Sequence, residues 1–149
     1  MHLADLLSAH DIVFGLRASN IASAAARLLE QTLPPRGFSP SDVQRLVGAV
    51  MAREREAPTR CGTIAIPHAR DSQLQSFVIA IGINPDGVVD DVPTLRVIFA
   101  FLSPDARRDE HLALLAALAR LSRDPAAIDA IATASHPEAV IDVIRTHPD

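Results

Sequence analysis

Residues 77–102 read FVIAIGINPDGVVDDVPTLRVIFAFL. Two apolar, β-rich runs, Phe77 to Ile83 and Arg96 to Leu102, are separated by a segment that contains Asn84-Pro85-Asp86-Gly87, a combination typical of turns. Strands that are apolar along their whole length must be buried on both faces. The segment therefore predicts two central strands of a sheet that helices cover on both sides. Two shorter runs of the same kind predict further strands: Ile12 to Leu16 and Ile64 to Ile66.

The residues on the N-terminal side of these strands predict two helices. Apolar residues recur at helical spacing from Ile21 to Leu29, after Ser19 or Asn20 as a candidate N-cap. A second helix is indicated by Ser39 as N-cap and by Pro40 at the first helical position.

The C-terminal third of the chain returns to helical patterns. Leu112 to Leu121 is apolar almost all round, which predicts a helix packed between other elements. Asp124-Pro125 predicts the start of another helix, and Ser135-x-x-Glu138 predicts the capping box of the last one. Helices before and after a strand-rich centre predict an α/β sandwich, with residues 1–149 forming one domain.

The composition excludes several classes of function. The 14 basic residues, all arginine, are outnumbered by 18 acidic residues, and the net charge of -4 gives a nucleic acid backbone no attractive face. Cys61 is the single cysteine and forms no intramolecular disulfide. No apolar run approaches the ~20 residues that span a bilayer. We therefore expect a cytoplasmic protein with no nucleic acid partner and no membrane insertion.

His68 and His111 are the strongest candidates for chemistry among the six histidines. His68 follows a strand-like run and Pro67, so its imidazole is presented where the chain leaves the sheet. His111 lies early in the apolar helix, where the helix dipole disfavours a protonated ring. A hydrogen-bonded structural histidine is the alternative for His68, and the position of His111 alone does not establish a function. The remaining histidines are expected at the surface: His2, His10, His136 and His147.

The absence of several well-known site motifs further limits the reactions that the chain could catalyse. The chain contains no GxxxxGK[ST], GxGxxG, HExxH or GxSxG motif, which removes the usual anchors for nucleotides, hydrolytic zinc and a serine nucleophile. Zinc bound by His68, His111 and an acidic residue stays open as an alternative, although no spacing fixes such a triad. Cys61 is interpreted as a small core or loop residue. We expect no cofactor and no metal.

The segment Ile64-Ala65-Ile66-Pro67-His68-Ala69-Arg70 resembles the phosphorylation-site motif of enzyme IIA domains of the phosphoenolpyruvate-dependent sugar phosphotransferase system. The similar branch is the fructose and mannitol type, which includes the nitrogen-regulatory IIA proteins. Further features agree in order with that family over nearly the whole chain: Arg53-Glu54, an acidic turn before Leu95 to Leu102 with Pro104, and His111-Leu112 at a helix start.

The resemblance implies a mixed β-sheet flanked by helices on both faces, and it gives three residues a role. His68 corresponds to the histidine that accepts a phosphoryl group from the histidine-phosphocarrier protein. Arg53 corresponds to the arginine that approaches the phosphoryl group, and His111 to a second histidine beside the active one. The chain departs from the family at residues 57–63, which read APTRCGT, where members carry a glycine-rich segment of approximately G-[ST]-T-G-[IV]-G.

Three interpretations of the function follow from these residues. The first is a free-standing IIA-type phosphocarrier that takes a phosphoryl group onto His68 and passes it to a IIB domain or uses it to regulate target proteins. Positioning and electrostatics do most of the work in such transfer, and Arg53, with Arg60 or Arg70, supplies the cationic groups. The second is a IIA-like binding module that docks without phosphorylation. Another enzyme on the same scaffold, metal-dependent or otherwise, is the third interpretation.

Two further expectations concern the geometry around His68. The donor should dock on a mostly apolar patch around His68, with arginines at its rim. His111 should lie within hydrogen-bonding reach of His68 or its phosphoryl oxygens, which excludes rings more than ~8 Å apart.

Overall fold

The structure is a computed structural model that describes residues 2–148. Within those residues, six strands form one sheet: β1 (Ile12–Phe14), β2 (Arg60–Cys61), β3 (Ile64–Ala65), β4 (His68–Asp71), β5 (Val78–Ile83) and β6 (Val97–Pro104). The same residues contain five α-helices: α1 (Ile21–Thr32), α2 (Pro40–Glu56), α3 (Arg108–Ser122), α4 (Pro125–Ala132) and α5 (Pro137–Thr146). Across residues 2–148, no helix combines the length and the apolar character needed to cross a membrane.

The sheet is mixed, as the resemblance implied. Its order is β1-β5-β6-β3-β2, and β4 also pairs with β6. β5 and β6 are antiparallel, with Ile81 opposite Phe99, whereas β1 is parallel to β5 and both β3 and β4 are parallel to β6. β3 and β4 follow one another along β6, and Ile66-Pro67 interrupts the ladder between them.

Helices cover both faces of β5 and β6, which confirms the predicted α/β sandwich. Every residue of these two strands is buried. Side chains alternate between the faces of a strand, so Ile81, Phe99 and Phe101 pack in a core with α3, α4 and α5, while smaller residues such as Ala80 pack with α1 and α2. A Cβ atom at Gly82 would lie 2.2 Å from Cδ2 of Leu16, so any larger residue here would force the Leu16 side chain to move.

The helix starts follow the capping signals with one exception. Asn20 accepts a hydrogen bond from the Ser23 N–H at 2.9 Å, and Ser39 accepts one from the Asp42 N–H at 3.2 Å. The predicted capping box at Ser135 is wrong, because α5 begins at Pro137 and the imidazole of His136 caps it. Proline fits the first helical position, since it has no N–H to donate there, and it moves the start of the helix by one residue.

The expectation that α3 packs on all sides is also wrong. Its buried residues form one face: His111, Leu114, Leu118 and Leu121. Leu112 is 50% exposed. The outer face is apolar mainly because it is rich in alanine, which favours a helix without requiring burial.

Candidate functional site

A cavity of about 570 Å³ lies between the C-terminal part of α2, the start of β4 and the first half of α3. The three residues singled out from the sequence, His68, His111 and Arg53, all line it. Arg70 and Glu56 add charged groups, and alanine and leucine side chains form much of the remaining wall. The fold thus brings together residues that are far apart in the sequence.

His68 is the first residue of β4 and is half-buried. The sequence placed it in a loop beyond a strand, but the chain resumes pairing with β6 at this residue, opposite Phe101. The imidazole Nδ1 lies 2.7 Å from the carbonyl oxygen of Ile66. Because a carbonyl oxygen only accepts, Nδ1 carries the hydrogen and donates it, and the neutral ring keeps its lone pair on Nε2. Nε2 is therefore the nucleophilic nitrogen of this ring.

His111 lies in the first turns of α3, 5% exposed. Its ring stacks on Phe101 with centroids 5.2 Å apart and planes inclined by 16°. The ring centroids of His68 and His111 are 5.6 Å apart, within the expected range. Nδ1 of His111 is hydrogen-bonded to the hydroxyl of Ser103. Two elements thus hold the ring in place beside His68.

The environment of His111 lowers its pKa from the ordinary 6.5 to about 4. The main cause is burial, which disfavours the charged ring, and the charges of His68, Arg70 and Arg53 act in the same direction. The sequence indicated the same direction but named the helix dipole as the cause. The ring is therefore neutral near pH 7.

Two arginines flank the cavity. Arg53 Nη1 donates a hydrogen bond to the carbonyl oxygen of Ala57 at 3.0 Å, so the guanidinium is tied to the end of its own helix. Arg70 donates to the carbonyl oxygen of Asp105, and its Nε lies 3.7 Å from the Asp105 carboxylate. Arg60 does not line the cavity, because it lies on exposed β2 and donates to Gly62.

The glycine-poor residues 57–63 include β2 and the turn of the hairpin that β2 forms with β3. Gly62 supplies the one left-handed position there, with φ of +62°. Glu54, which is 5% exposed, accepts hydrogen bonds from the N–H and hydroxyl of Thr59 at 3.0 and 2.7 Å. The segment is not part of the cavity lining. The departure from the family pattern therefore lies outside the wall of the cavity.

The sequence did not predict that Glu54 is hydrogen-bonded to Thr59 or that Ser103 is hydrogen-bonded to His111. Glu54 stood in the motif only as the neighbour of Arg53, and burial of its carboxylate had no signal in the sequence. Ser103 continues the alternation of Phe99 and Phe101 along β6, but no pattern in the sequence indicated that its hydroxyl meets His111. For the zinc alternative, residues 2–148 offer no group of three or more His, Cys, Asp or Glu side chains that could hold a metal ion.

Comparison with known proteins identifies the family. A family model described as "Phosphoenolpyruvate-dependent sugar phosphotransferase system, EIIA 2" matches residues 5–147. The chain therefore belongs to the EIIA 2 family of this phosphotransferase system, as its segment 64–70 indicated.

Two curated relatives of the chain are described by different functions. The chain is 36% identical over 102 residues to a nitrogen regulatory protein of Pseudomonas aeruginosa, covering 64% of this chain and 66% of the relative. It is 33% identical over 84 residues to the fructose-specific EIIA component of Haloferax volcanii, covering 53% of this chain and 54% of the relative. The chain thus spans less than two thirds of either relative.

Solved structures share the fold. The nitrogen regulatory protein IIA-Ntr of Neisseria meningitidis superposes with a TM-score of 0.77 at 23% identity, covering 95% of this chain and 98% of that one. IIA mannitol of Escherichia coli gives a TM-score of 0.75 at 21% identity, with 93% and 98% covered.

Proposed function

We propose that the protein is a phosphohistidine carrier that accepts a phosphoryl group from the histidine-phosphocarrier protein onto Nε2 of His68. The observation that carries the proposal is the hydrogen bond from His68 Nδ1 to Ile66, which leaves Nε2 as the nucleophile in a cavity flanked by Arg53 and Arg70. Membership of the EIIA 2 family supports it.

The transfer exchanges one N–P bond for another. The N–P bond of the donor's phosphohistidine breaks as a bond forms between phosphorus and His68 Nε2. If the donor ring is protonated on its other nitrogen, it leaves as a neutral imidazole, and no proton has to move. The new phosphoimidazolium keeps its Nδ1–H on Ile66, whose carbonyl dipole favours the positive ring. Guanidinium groups of Arg53 and Arg70 stabilise the charge on the phosphoryl oxygens.

The acceptor is a IIB domain or a regulatory target that docks on the same face. A IIA mannitol of Escherichia coli has been solved in complex with phosphorylated IIB mannitol, and this chain superposes on that structure with a TM-score of 0.76 at 20% identity, covering 95% of this chain and 98% of that one. The similarity between the folds supports an equivalent docking face here, around His68.

Incubation with phosphoenolpyruvate, enzyme I and the histidine-phosphocarrier protein tests the proposal. Wild-type protein should acquire one acid-labile phosphoryl group, whereas His68→Ala should acquire none and keep its fold. His10→Ala is the matched control, because His10 is exposed and lies on another part of the chain. Phosphorylation of His68→Ala would overturn the assignment of this residue. A wild-type protein that takes up no label would favour the docking module.

A further inference from the structure

Ser103 lies on β6, the middle strand of the five-strand order. Alternation along the strand places its side chain on the same face as Phe99 and Phe101, which is the face covered by α3. The Ser103 hydroxyl is hydrogen-bonded to Nδ1 of His111. Ser103 is entirely buried, and its hydroxyl has no second hydrogen-bond partner among residues 2–148.

The two possible directions of this hydrogen bond leave the hydroxyl hydrogen in different places. If the hydroxyl donates to Nδ1 of His111, its hydrogen is used, and the ring hydrogen lies on Nε2. If Nδ1–H donates to the hydroxyl oxygen, the hydroxyl hydrogen is left buried without an acceptor, which is unfavourable. A neutral His111 is therefore the Nε2–H tautomer, and its low pKa keeps it neutral near pH 7.

We propose that Ser103 is a positioning residue that fixes His111 as the Nε2–H tautomer, so that His111 presents a neutral N–H donor to the phosphoryl group on His68. The inference rests on the proposed carrier function. With Nδ1 bound to Ser103, Nε2 lies on the other edge of the ring, and His111 lines the cavity beside His68. The stacking of His111 on Phe101 fixes the ring plane.

The two histidines then carry their hydrogens on opposite nitrogens. His68 has its hydrogen on Nδ1, where Ile66 accepts it, and its lone pair on Nε2. His111 has its lone pair on Nδ1, where Ser103 donates, and its hydrogen on Nε2. One ring is thereby prepared to attack phosphorus, and the other to donate to a phosphoryl oxygen without adding a charge to the resting site.

Nitrogen-15 NMR of the unphosphorylated chain at pH 7 tests the tautomer directly. In the wild type, Nε2 of His111 should resonate as a protonated ring nitrogen and Nδ1 as an unprotonated one. In Ser103→Ala the two resonances should move toward each other as the tautomers mix, whereas Ser103→Thr, which retains the hydroxyl, should keep the wild-type pattern. Ser122→Ala is the matched control, because that hydroxyl donates to Ala119 within α3. A wild-type ring protonated on Nδ1, or an unchanged pattern in Ser103→Ala, would overturn the assignment.

A second measurement follows the lifetime of the phosphoprotein. Loss of the Ser103 hydroxyl should speed the loss of phosphate from His68 about 3- to 10-fold, the factor expected when one hydrogen bond is weakened. A changed tautomer with an unchanged lifetime would overturn the link between Ser103 and the phosphoryl group. If even the wild type accepts no phosphate, the carrier proposal fails, and the NMR result still decides the role of Ser103 in the tautomer.

Discussion

His111 is an ionisable side chain that the folded protein holds in its neutral form. Its pKa is lowered to about 4, mainly by burial, whereas the ring in the unfolded chain has the ordinary pKa near 6.5. As the pH falls below about 6.5, the unfolded chain binds a proton that the folded protein does not bind. The contribution of His111 to stability is therefore complete above this pH and is lost as the pH falls toward 4.

His111→Gln should remove this pH dependence. Between pH 7 and pH 4.5 the free energy of unfolding of the wild type should fall by about 2 kcal/mol more than that of the variant. Urea unfolding of both proteins at the two pH values measures the difference, and glutamine retains a polar group near Ser103. Carboxylates titrate in the same range in both proteins, so they cancel in the comparison. Equal losses in the two proteins would contradict a neutral, buried His111.

The sequence identified the two histidines of the cavity but not the groups that orient them. His68 was found from its motif and His111 from its place at a helix start. The carbonyl of Ile66 and the hydroxyl of Ser103 had no comparable signal, because their roles depend on how the β3–β4 break and α3 lie against β6. Such contacts follow from tertiary packing, which local patterns do not encode.

At the scale of elements, a part-buried contact ties α2 to the chain that enters the β2–β3 hairpin. Glu54 on α2 accepts two hydrogen bonds from Thr59. A carboxylate buried in this way is stable only while it keeps its donors. We therefore expect Glu54 and Thr59 to hold the start of the hairpin against the helix that carries Arg53.

Thr59→Val should destabilise the protein because it removes the hydroxyl donor and keeps the shape of the side chain. The expected loss in the free energy of unfolding is about 1.5–3 kcal/mol, the range for hydrogen bonds to charged groups. Thr133→Val is the matched control, since that hydroxyl donates to the Asp129 carbonyl on an exposed helix end. Denaturant unfolding of the two variants gives the comparison, and equal losses would show that the Glu54 contact contributes nothing specific.

Strands were predictable from the sequence where their own residues required burial. β5 and β6 are apolar throughout and lie where the apolar runs predicted. β4 has the sequence His-Ala-Arg-Asp and was not predicted as a strand. It is a strand because it pairs with its neighbour β6, and its own residues do not require burial. The sequence predicted α3 as a helix, but the prediction that it is packed on all sides was wrong. An exposed face that is rich in alanine contains as many apolar residues as a buried face, so counting apolar residues does not distinguish the two.

At the scale of the whole molecule, the mixed sheet brings three distant segments of the chain to one cavity. β4 lies along β6, α2 packs against β4, and α3 follows directly from the end of β6. The sandwich could be predicted from the order of helices and strands, but this convergence could not, because it depends on which strands are neighbours. The family resemblance supplied that information in advance.

The same convergence produces an exposed apolar surface beside His68. Leu112 is 50% exposed and lines the cavity together with Leu115, and Arg53 and Arg70 flank them. With a net charge of -4 on the chain, attraction toward an acidic partner has to be local to these arginines. We therefore expect apolar contact with Leu112 to supply affinity and the arginines to orient the partner.

Leu112→Ser should weaken binding of the histidine-phosphocarrier protein about 10-fold, because an exposed apolar anchor at a docking site contributes more than 1 kcal/mol. Phe14→Ser is the matched control: Phe14 is the other large apolar side chain that residues 2–148 expose, 39% exposed, and it lies on β1 at the far edge of the sheet from β4. Titration calorimetry with the unphosphorylated partner measures both affinities without involving the chemical step. Since Leu112 is exposed on a helix, its replacement should leave the melting temperature within a few degrees of the wild type. Equal affinities for the two variants would mean that the partner docks elsewhere, and His68 would then have to be reached from a different face.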